Sequence, residues 1–517
     1  MNKSEFKIHI FIIASLTLLF FILLSSTYGF GIASDTTVYF DGAKNIVLNK
    51  GFVDHDGNFI NHFPPFYSLV LALLMLFQGV KNIFLVSKIM SIIIVMFFNV
   101  LTFKIFLRLT KNIYYSYFLL FWVNSSNFFE IYFWNLTEGI FIVFLIWQFL
   151  LIQKTIISNF QVSKKTWRIL GLLSAIMVMT RFAGFSVLGF WVIIALFSIR
   201  EKNPIRNIVH IFSNYLIWPL VICGSWFTYV KLNINEEAVS RELLFHPPNI
   251  GKILELINTM LVWFSGNNKI SIVFILVFFL IYLKNAGIVK NMDRLKLNLN
   301  RFDFVMFIFI LYYIFFILVS FSLFDAHIQF DSRIFSPIFI PLVILGLSVV
   351  KSLTSSSTRR FKNTVSVLLV IGLFLPQLFY CLVRFREFHT EGLGYMSNKY
   401  VDSKAINFIG NKSSTVIWTN FPQLLRLHVD NGIVVRGTPL KYNTNTQVIN
   451  SSYEKEVLLM WDQIIKNKEM IFLFKDESRA YYFHADDLLD DMEYIKSIHP
   501  NILINEYSDA LICAPKL

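Results

Sequence analysis

Residues 302–324 spell FDFVMFIFILYYIFFILVSFSLF, an apolar run whose only charged residue, Asp303, stands at its start. A helix needs about 20 apolar residues to cross the hydrocarbon core of a bilayer, so this run has the length of a span. Similar runs recur through the first 383 residues of the 517-residue chain, which is 56% hydrophobic and only 15% charged and contains 57 Phe. A water-soluble fold would have too little polar surface to cover that excess. The sequence therefore indicates a polytopic α-helical membrane protein.

Runs of this kind predict about 11 spans, since a helix that is short or broken needs fewer residues. The predicted spans are residues 8–28, 82–103, 113–129, 136–153, 168–180, 182–199, 207–230, 270–283, 302–324, 334–350 and 363–383. No small-residue cleavage site follows the first run, which favours a retained helix over a signal peptide. The apolar run at 66–77 follows Pro64–Pro65 and is short, which favours an interfacial or re-entrant helix.

The formal net charge of +13 describes topology and not a nucleic-acid partner, because the sequence shows no basic patch or nucleic-acid motif. The positive residues stand in short blocks between the predicted spans. The later blocks lie at residues 104–111, 154–168, 200–206, 284–301 and 351–362, and Lys3 and Lys7 precede the first span. These blocks fall on one side if the spans alternate, and the positive-inside rule makes that side the cytoplasm. We expect a multi-pass cell-membrane protein with a cytoplasmic N-terminus.

Three regions then face outward: the first loop at 31–81, a second loop at 231–269, and the C-terminal part. In the C-terminal part, STVIWTN, GIVVRG and EMIFLFK read as short buried strands, and NEYSDALICAPKL as a closing strand. Helices are predicted at 399–409, 422–428 and 453–467. Strands that alternate with helices indicate a small α/β structure. We therefore predict a transmembrane domain over 1–383, which includes loop 31–81, and an extracytoplasmic α/β domain over 384–517.

Asp35 stands in the first outer loop, one turn before an apolar stripe that begins at Tyr39 and ends at Val47. The spacing of the stripe is typical of an amphipathic helix at a membrane interface. A carboxylate at this position suits a general base that acts on a polar acceptor beside the membrane. Asp35 or Ser34 also suits a helix N-cap, and the pattern leaves both roles open.

Further charged residues lie at the outer ends of predicted spans. Glu138 begins the fourth span, where an acidic residue is functional, paired, or simply favoured by the helix dipole. Arg181 lies in a tight outer turn, where it binds an anion or snorkels into lipid headgroups. Arg333 precedes the tenth span, where its guanidinium can hold a phosphate through two hydrogen bonds or pair with Asp331 to fix the loop.

Several segments, taken in order, resemble the GT-C membrane glycosyltransferases. They are DTTVYFDGAKNIVLNKGF, HFPPFYSLVLALL, NLTEGIFIVFL, MTRFAGF and FDSRIFSPIFIPLVIL, followed by VIWTNFPQLL in the outer tail. More narrowly, the chain resembles the bacterial branch related to protein O-mannosyltransferases and the lipid A aminoarabinose transferase. The resemblance implies a GT-C-like catalytic domain over 1–383. It also implies inverting transfer of a sugar from a polyprenyl-phosphate donor to a glycan, lipid or protein acceptor on the outer face.

The resemblance also implies roles for single residues. Asp35 matches the acidic residue taken as the catalytic base. Glu138 matches a second acidic position at the start of a span and is the second candidate catalytic residue. Arg333 and, less closely, Arg181 match the positions that hold the donor phosphate. The candidate substrate-binding residues are completed by Asp331, Tyr39 and His62.

Two features qualify this assignment. Some relatives carry Lys just before the Pro pair, where this chain has His62 and Phe63. An Asp with an ordinary pKa is a weak base, so we expect either partial desolvation of Asp35 or, as the second option, a divalent metal ion between Asp35 and Glu138.

Two other functions compete with glycosyl transfer. A transporter or flippase for an amphiphile or polyprenyl lipid predicts broken helices and charged residues near the bilayer centre. The charged residues of this chain stand at the outer ends of its predicted spans instead. The third possibility is an envelope scaffold whose outer domain binds partners. The charged residues of the first loop favour an enzyme over such a scaffold.

Overall fold

The computed structural model of the chain describes residues 3–157, 163–199, 205–233, 245, 247–266, 269, 271–272, 301–324, 328–355, 372, 374–410, 416–429, 432–439, 449–475 and 502–515. The backbone divides into two compact units. The helical unit comprises Met1–Gly29 and Val38–His389, and the α/β unit comprises Phe30–Thr37 and Thr390–Leu517. The α/β unit thus includes a short piece of the first outer loop, which the sequence assigns to the other domain. The predicted domain division at residues 383 and 384 stays a prediction.

The N-terminal and central helices occur in the order expected from the apolar runs. They are α1 (Lys3–Leu24), α2 (Ser34–Val47), α3 (Phe66–Gln78), α4 (Ile83–Thr110), α5 (Ile113–Asn124), α6 (Thr137–Ile157), α7 (Lys164–Thr180), α8 (Gly184–Ile199), α9 (Ile205–Asn233), α10 (Ile250–Ser265), α11 (Arg301–Leu323), α12 (Ser332–Phe335), α13 (Phe339–Ser355) and α14 (Leu375–Glu391). Short 3₁₀ helices cover Val80–Asn82, Asn127–Phe133 and Ser336–Ile338.

Four of the described helices are long and apolar enough to cross a membrane. They are Ser4–Leu24, Ile83–Thr110, Phe212–Asn233 and Phe302–Leu323. Other predicted spans form shorter apolar helices, among them α6 and α8. The predicted span 270–283 lies almost entirely outside the described residues, as does much of the first half of span 363–383. The total of about 11 spans therefore stays a prediction.

Two predicted spans are interrupted where polar groups or proline compete with the helix. The span predicted at 113–129 ends as α5 at Asn124, because Ser125 and Ser126 donate their hydroxyls to the carbonyls of the preceding turn. The span predicted at 334–350 begins as α12, passes through a 3₁₀ turn at Pro337, and continues as α13. Proline lacks the N–H group that an uninterrupted helix would need there.

The region 231–269, predicted as a loop, contains helix α10. The Asn249 side chain accepts a hydrogen bond from the Lys252 N–H at 2.9 Å, which caps the first turn. Gly266 ends the helix with a φ of 69°, a left-handed conformation that favours glycine. Between these caps, the Trp263 side chain is fully buried. The helix therefore packs against the rest of the unit on one face.

Helices α7 and α9 pack together closely because α7 carries a glycine at their contact. A Cβ atom at Gly171 would collide with the backbone carbonyl of Tyr215. The close approach lets the Tyr215 hydroxyl donate to the Ser174 hydroxyl at 2.8 Å, and the Gln148 amide on α6 donates to the same oxygen at 2.9 Å. Small residues serve in this way at helix contacts within membranes.

Gly171→Ala is therefore expected to destabilise the helical unit by about 1–3 kcal/mol, the usual cost of overpacking. Gly224→Ala on α9 is the matched control, because a Cβ atom at Gly224 would meet no other atom of the described residues within 4 Å. The measurement is the unfolding midpoint of the full-length protein in detergent. Equal midpoints for the two variants would contradict the packing argument.

The α/β unit contains a five-stranded sheet in the order β2-β1-β3-β5-β4. Its strands are β1 (Val416–Thr419), β2 (Val434–Gly437), β3 (Met470–Phe474), β4 (Ile502–Glu506) and β5 (Ala510–Pro515), and its helices are α15 (Asn398–Val401), α16 (Lys404–Gly410), α17 (Pro422–His428) and α18 (Tyr453–Asn467). Strand β1 runs parallel to β2 and β3, whereas β5 runs antiparallel to β3 and β4. The small C-terminal sheet predicted from the sequence is confirmed.

The α/β unit differs from its prediction in two places. The helix predicted at 399–409 is split, because the Ser403 hydroxyl accepts a hydrogen bond from the Ile406 N–H at 3.1 Å and starts a new helix. The closing strand is half of a hairpin, in which Tyr507 N–H donates to Ala510 O at 2.8 Å between β4 and β5.

Candidate active site

Glu138 is the second residue of α6, and its side chain is only 1% exposed. A buried carboxylate is costly unless charged or hydrogen-bonding partners compensate it. Two guanidinium groups do so: Arg333 Nε donates to Glu138 Oε1 at 2.9 Å, and Arg181 Nη1 forms an ion pair with the same oxygen. The sequence named these three residues separately as candidates, and the structure brings them together. We call them the Arg–Glu–Arg triad.

The ends of two helices position the first half of the triad. Glu138 lies in the first turn of α6, where the helix dipole favours negative charge. Arg181 follows the last residue of α7, and its N–H donates to Met177 O at 3.0 Å, so its charge lies where the dipole favours a cation. Burial opposes the charge on Arg181, but the Glu138 carboxylate outweighs this and raises the pKa of the guanidinium.

Asp331 fixes the backbone that carries Arg333. Its Oδ1 atom accepts hydrogen bonds from the N–H groups of Arg333 at 3.0 Å and Ile334 at 3.1 Å, and so caps α12. Burial raises the pKa of Asp331, and the bond from Ile334 N–H opposes that rise. The role of Asp331 in the structure is thus to hold the backbone of the short helix, while the Arg333 guanidinium bonds to Glu138.

Neighbouring helices hold the same segment from two sides. On α10, Thr259 donates to Phe330 O at 2.8 Å, and Trp263 Nε1 donates to Ser332 Oγ at 3.0 Å. On α11, the Tyr313 hydroxyl donates to Ile334 O at 2.7 Å. The sequence patterns did not predict these hydrogen bonds. A signal for helix α10 itself was present, because Asn249 and Gly266 are typical residues for the two ends of a helix. The backbone around Arg333 is therefore fixed by α10 and α11, in addition to the Asp331 cap.

The triad carries two positive charges and one negative charge. The Arg333 side chain is 37% exposed and that of Arg181 is 19% exposed, whereas Glu138 is buried beneath them. Guanidinium groups hold phosphate and carboxylate oxygens through paired hydrogen bonds. The two partly exposed guanidinium groups, held by the buried Glu138 carboxylate, leave a net positive charge that is suited to bind an anion.

Tyr39 lies within the protein and not at a lipid interface. Its side chain is buried, and its ring lies 5.1 Å from the ring of Tyr67 and 5.0 Å from that of Phe63. The Ser68 hydroxyl on α3 donates to Tyr39 O at 3.0 Å, and Ala43 is also buried. The part of the α2 stripe at Tyr39 and Ala43 thus packs in the core and does not face lipid, and the interfacial position of the helix stays a prediction.

Asp35 and His62 differ in their exposure and in the part of the chain to which they belong. Asp35 is half-buried in the first turn of α2, within the segment that belongs to the α/β unit. That segment is tied there by the Tyr395 N–H, which donates to Ile32 O at 2.9 Å. His62 is exposed before α3, with its ring against that of Phe63 at 6.1 Å.

The predicted metal site does not fit the donor set at Glu138. A divalent cation there would face two guanidinium groups that already bind Glu138 Oε1. Among the residues that the structure describes, no group of three or more His, Cys, Asp or Glu side chains is arranged to hold a metal ion.

Comparison with known proteins connects this geometry to a fold. No protein-family model and no curated protein sequence matches the chain. ArnT from Cupriavidus metallidurans in its apo state matches with a TM-score of 0.59 and 11% identity, over 99% of this chain and 98% of that one. The same ArnT bound to undecaprenyl phosphate matches with a TM-score of 0.55 and 11% identity over the same shares.

A third match is the arabinofuranosyltransferase AftD from Mycobacteria, with a TM-score of 0.51 and 11% identity, over 100% of this chain and 40% of that one. ArnT and AftD are GT-C glycosyltransferases. The three-dimensional likeness confirms the fold that the ordered sequence segments predicted. The chain has the fold of the GT-C membrane glycosyltransferases.

Proposed function

We propose that the chain is a membrane glycosyltransferase. It transfers a sugar, with inversion, from a polyprenyl-phosphate donor to an acceptor on the outer face of the membrane. The acceptor is a glycan, a lipid or a protein. The GT-C fold supports the reaction class, and the ArnT structure bound to undecaprenyl phosphate supports the type of donor. The C-terminal α/β unit would then be extracytoplasmic and the N-terminus cytoplasmic.

The observation that carries the proposal is the Arg–Glu–Arg triad. Loss of a polyprenyl phosphate from the sugar leaves negative charge on the phosphate oxygens, and preorganised cations stabilise such developing charge. Arg333 and Arg181 already share one buried carboxylate, so their guanidinium groups are held in place before a donor binds. We assign both to the donor phosphate.

The chemistry needs one more group. The acceptor hydroxyl oxygen attacks the anomeric carbon, the bond from that carbon to the phosphate oxygen breaks, and the hydroxyl proton passes to a base. We assign the proton to Asp35 and the leaving phosphate to Arg333 and Arg181. A phosphate is a good leaving group, so the reaction requires little help from an acid.

Glu138 serves this proposal as a positioning residue. A carboxylate whose Oε1 atom accepts from two guanidinium groups is a poor base, because taking up a proton would weaken both ion pairs. We therefore propose a positioning role for Glu138 in place of the catalytic role that the resemblance implies. Its function is to orient Arg181 and Arg333.

Arg333→Ala is expected to weaken binding of the polyprenyl-phosphate sugar about 10-fold to 100-fold. This range is the loss in affinity that corresponds to the free energy of one hydrogen bond between charged groups. Arg384→Ala is the matched control: its side chain is 39% exposed, against 37% for Arg333, and it pairs with Glu387 at 3.0 Å outside the triad. The measurement uses purified full-length protein, radiolabelled donor and a binding isotherm.

The same radiolabelled donor tests the reaction class. A glycosyltransferase releases polyprenyl phosphate in proportion to the sugar that is transferred or hydrolysed. A transporter or scaffold leaves the bond between sugar and phosphate intact. The donor is tested with a panel of envelope glycans, lipids and peptides as acceptors. If it remains intact with all of them, the proposed function is wrong.

A further inference from the structure

Tyr67, on α3, carries a polar atom that the protein itself leaves unsatisfied. Its side chain is fully buried, and its hydroxyl has no hydrogen-bond partner among the residues that the structure describes. A buried polar group without a partner costs about 1–3 kcal/mol. Buried hydroxyls are therefore nearly always paired, and an exception calls for an explanation. A ligand that supplies the missing acceptor is one such explanation.

The surroundings of Tyr67 point to the triad. Its ring lies 5.1 Å from the ring of Tyr39. Phe66, its neighbour on α3, packs against the buried cluster that includes Val178 and Met179 in the last turn of α7, which Arg181 follows. Burial raises the pKa of the Tyr67 hydroxyl, and the charges of Tyr39 and Glu138 raise it further. Tyr39 in turn contributes to the raised pKa of Arg181. Tyr67, Tyr39 and the triad thus form one neighbourhood within the helical unit.

The protonation state of Tyr67 fixes what it can recognise. A phenol with a raised pKa keeps its proton at every physiological pH and is available as a donor. The partner it lacks is an acceptor oxygen, and the nearby guanidinium groups favour an anionic one. A phosphate monoester or diester offers oxygen atoms to all three donors at once.

We propose that the Tyr67 hydroxyl donates a hydrogen bond to a phosphate oxygen of the polyprenyl carrier when that phosphate occupies the triad. This inference rests on the proposed function and adds a third, uncharged donor to the phosphate site. It assigns Tyr67 to recognition of the phosphate and not of the prenyl chain. The hydroxyl then gains its missing partner only in the loaded protein.

The test is Tyr67→Phe, which removes one oxygen atom and preserves the packed ring. Farnesyl phosphate and farnesol, which lacks the phosphate, are titrated into full-length protein in detergent. We expect the Kd for farnesyl phosphate to rise at least fivefold and the Kd for farnesol to stay unchanged. Without ligand, the unfolding midpoint should stay the same or rise, because the unsatisfied hydroxyl is gone.

Tyr132→Phe is the matched control. Tyr132 is also buried with no hydrogen-bond partner for its hydroxyl among the described residues, but burial alone raises its pKa. A change of less than fivefold for Tyr67→Phe, or an equal loss for Tyr132→Phe, overturns the assignment. If wild-type protein does not bind farnesyl phosphate, or binds it equally well after Arg333→Ala, the proposed function fails first. If Arg333 matters and Tyr67 does not, only this inference fails.

Discussion

Glu138→Ala is expected to destabilise the helical unit by about 3 kcal/mol, because removing one partner of a buried ion pair leaves the other charge uncompensated. Here the remaining charges are two guanidinium groups that both face the position of the lost oxygen. Their repulsion adds to the penalty, and their partial exposure reduces it. No other charged side chain in the described part of the chain bonds to both arginines in this way.

The measurement is the denaturation midpoint of full-length protein in detergent. Glu130→Ala is the matched control. Glu130 is also acidic but is half-buried, and its Oε2 atom lies 3.8 Å from Nη2 of Arg384, its one ion-pair partner in the described part of the chain. Exposed or partly exposed pairs contribute about 1 kcal/mol or less. A loss for Glu138→Ala no larger than that for Glu130→Ala would show that the triad does not anchor the fold.

Glu138→Gln tests whether phosphate binding depends on the orientation of the two arginines or only on the net charge of the triad. The substitution keeps the shape of the side chain and raises the net charge of the triad from one to two. If the arginines bind phosphate through charge alone, the affinity for farnesyl phosphate should increase. If Glu138 orients them, affinity should fall although the site has become more positive, because a neutral amide oxygen holds two guanidinium groups more weakly than a carboxylate does. We expect the fall.

The sequence identified Glu138, Arg181 and Arg333 as separate candidates, but it did not predict that they contact one another. Each of Glu138, Arg181 and Arg333 attracted attention because a charged residue stood at the outer end of an apolar run. Local patterns carry such information, since the cost of placing charge near a bilayer acts on each residue separately. Pairing across 195 positions of sequence is set by tertiary packing, which leaves no local period. The ion pairs therefore required the structure.

The stripe on α2 shows a second limit of pattern analysis. Apolar residues at helical spacing describe a helix with one apolar face, and that face packs equally well against lipid or protein. Tyr39 and Ala43 are buried in the core, against α3 in the case of Tyr39. Tyr67 was missed for a related reason, since a tyrosine within an apolar helix resembles core until its hydroxyl is seen to lack a partner.

Asp35→Asn is expected to lower the rate of sugar transfer by about 10²-fold to 10⁴-fold, which is the usual contribution of a general base. Asparagine has the same size and remains compatible with the first turn of α2, where Asp35 is half-buried. The protein should therefore fold and bind donor as before. The loss should fall on the rate with saturating donor and acceptor, because the amide cannot take up the proton of the acceptor hydroxyl.

The matched control is Asp56→Asn, an exposed acidic position in the same loop. Both variants are compared with wild type for unfolding midpoint, farnesyl phosphate affinity and rate of transfer from radiolabelled donor. Unchanged stability and affinity with a lost rate identify Asp35 as the base. If Asp35→Asn transfers as fast as wild type and only Asp35→Ala lowers the midpoint, Asp35 holds the start of α2 instead, since replacing a capping side chain by Ala costs about 0.5–2 kcal/mol. Transfer within tenfold of wild type would remove Asp35 from the chemistry altogether.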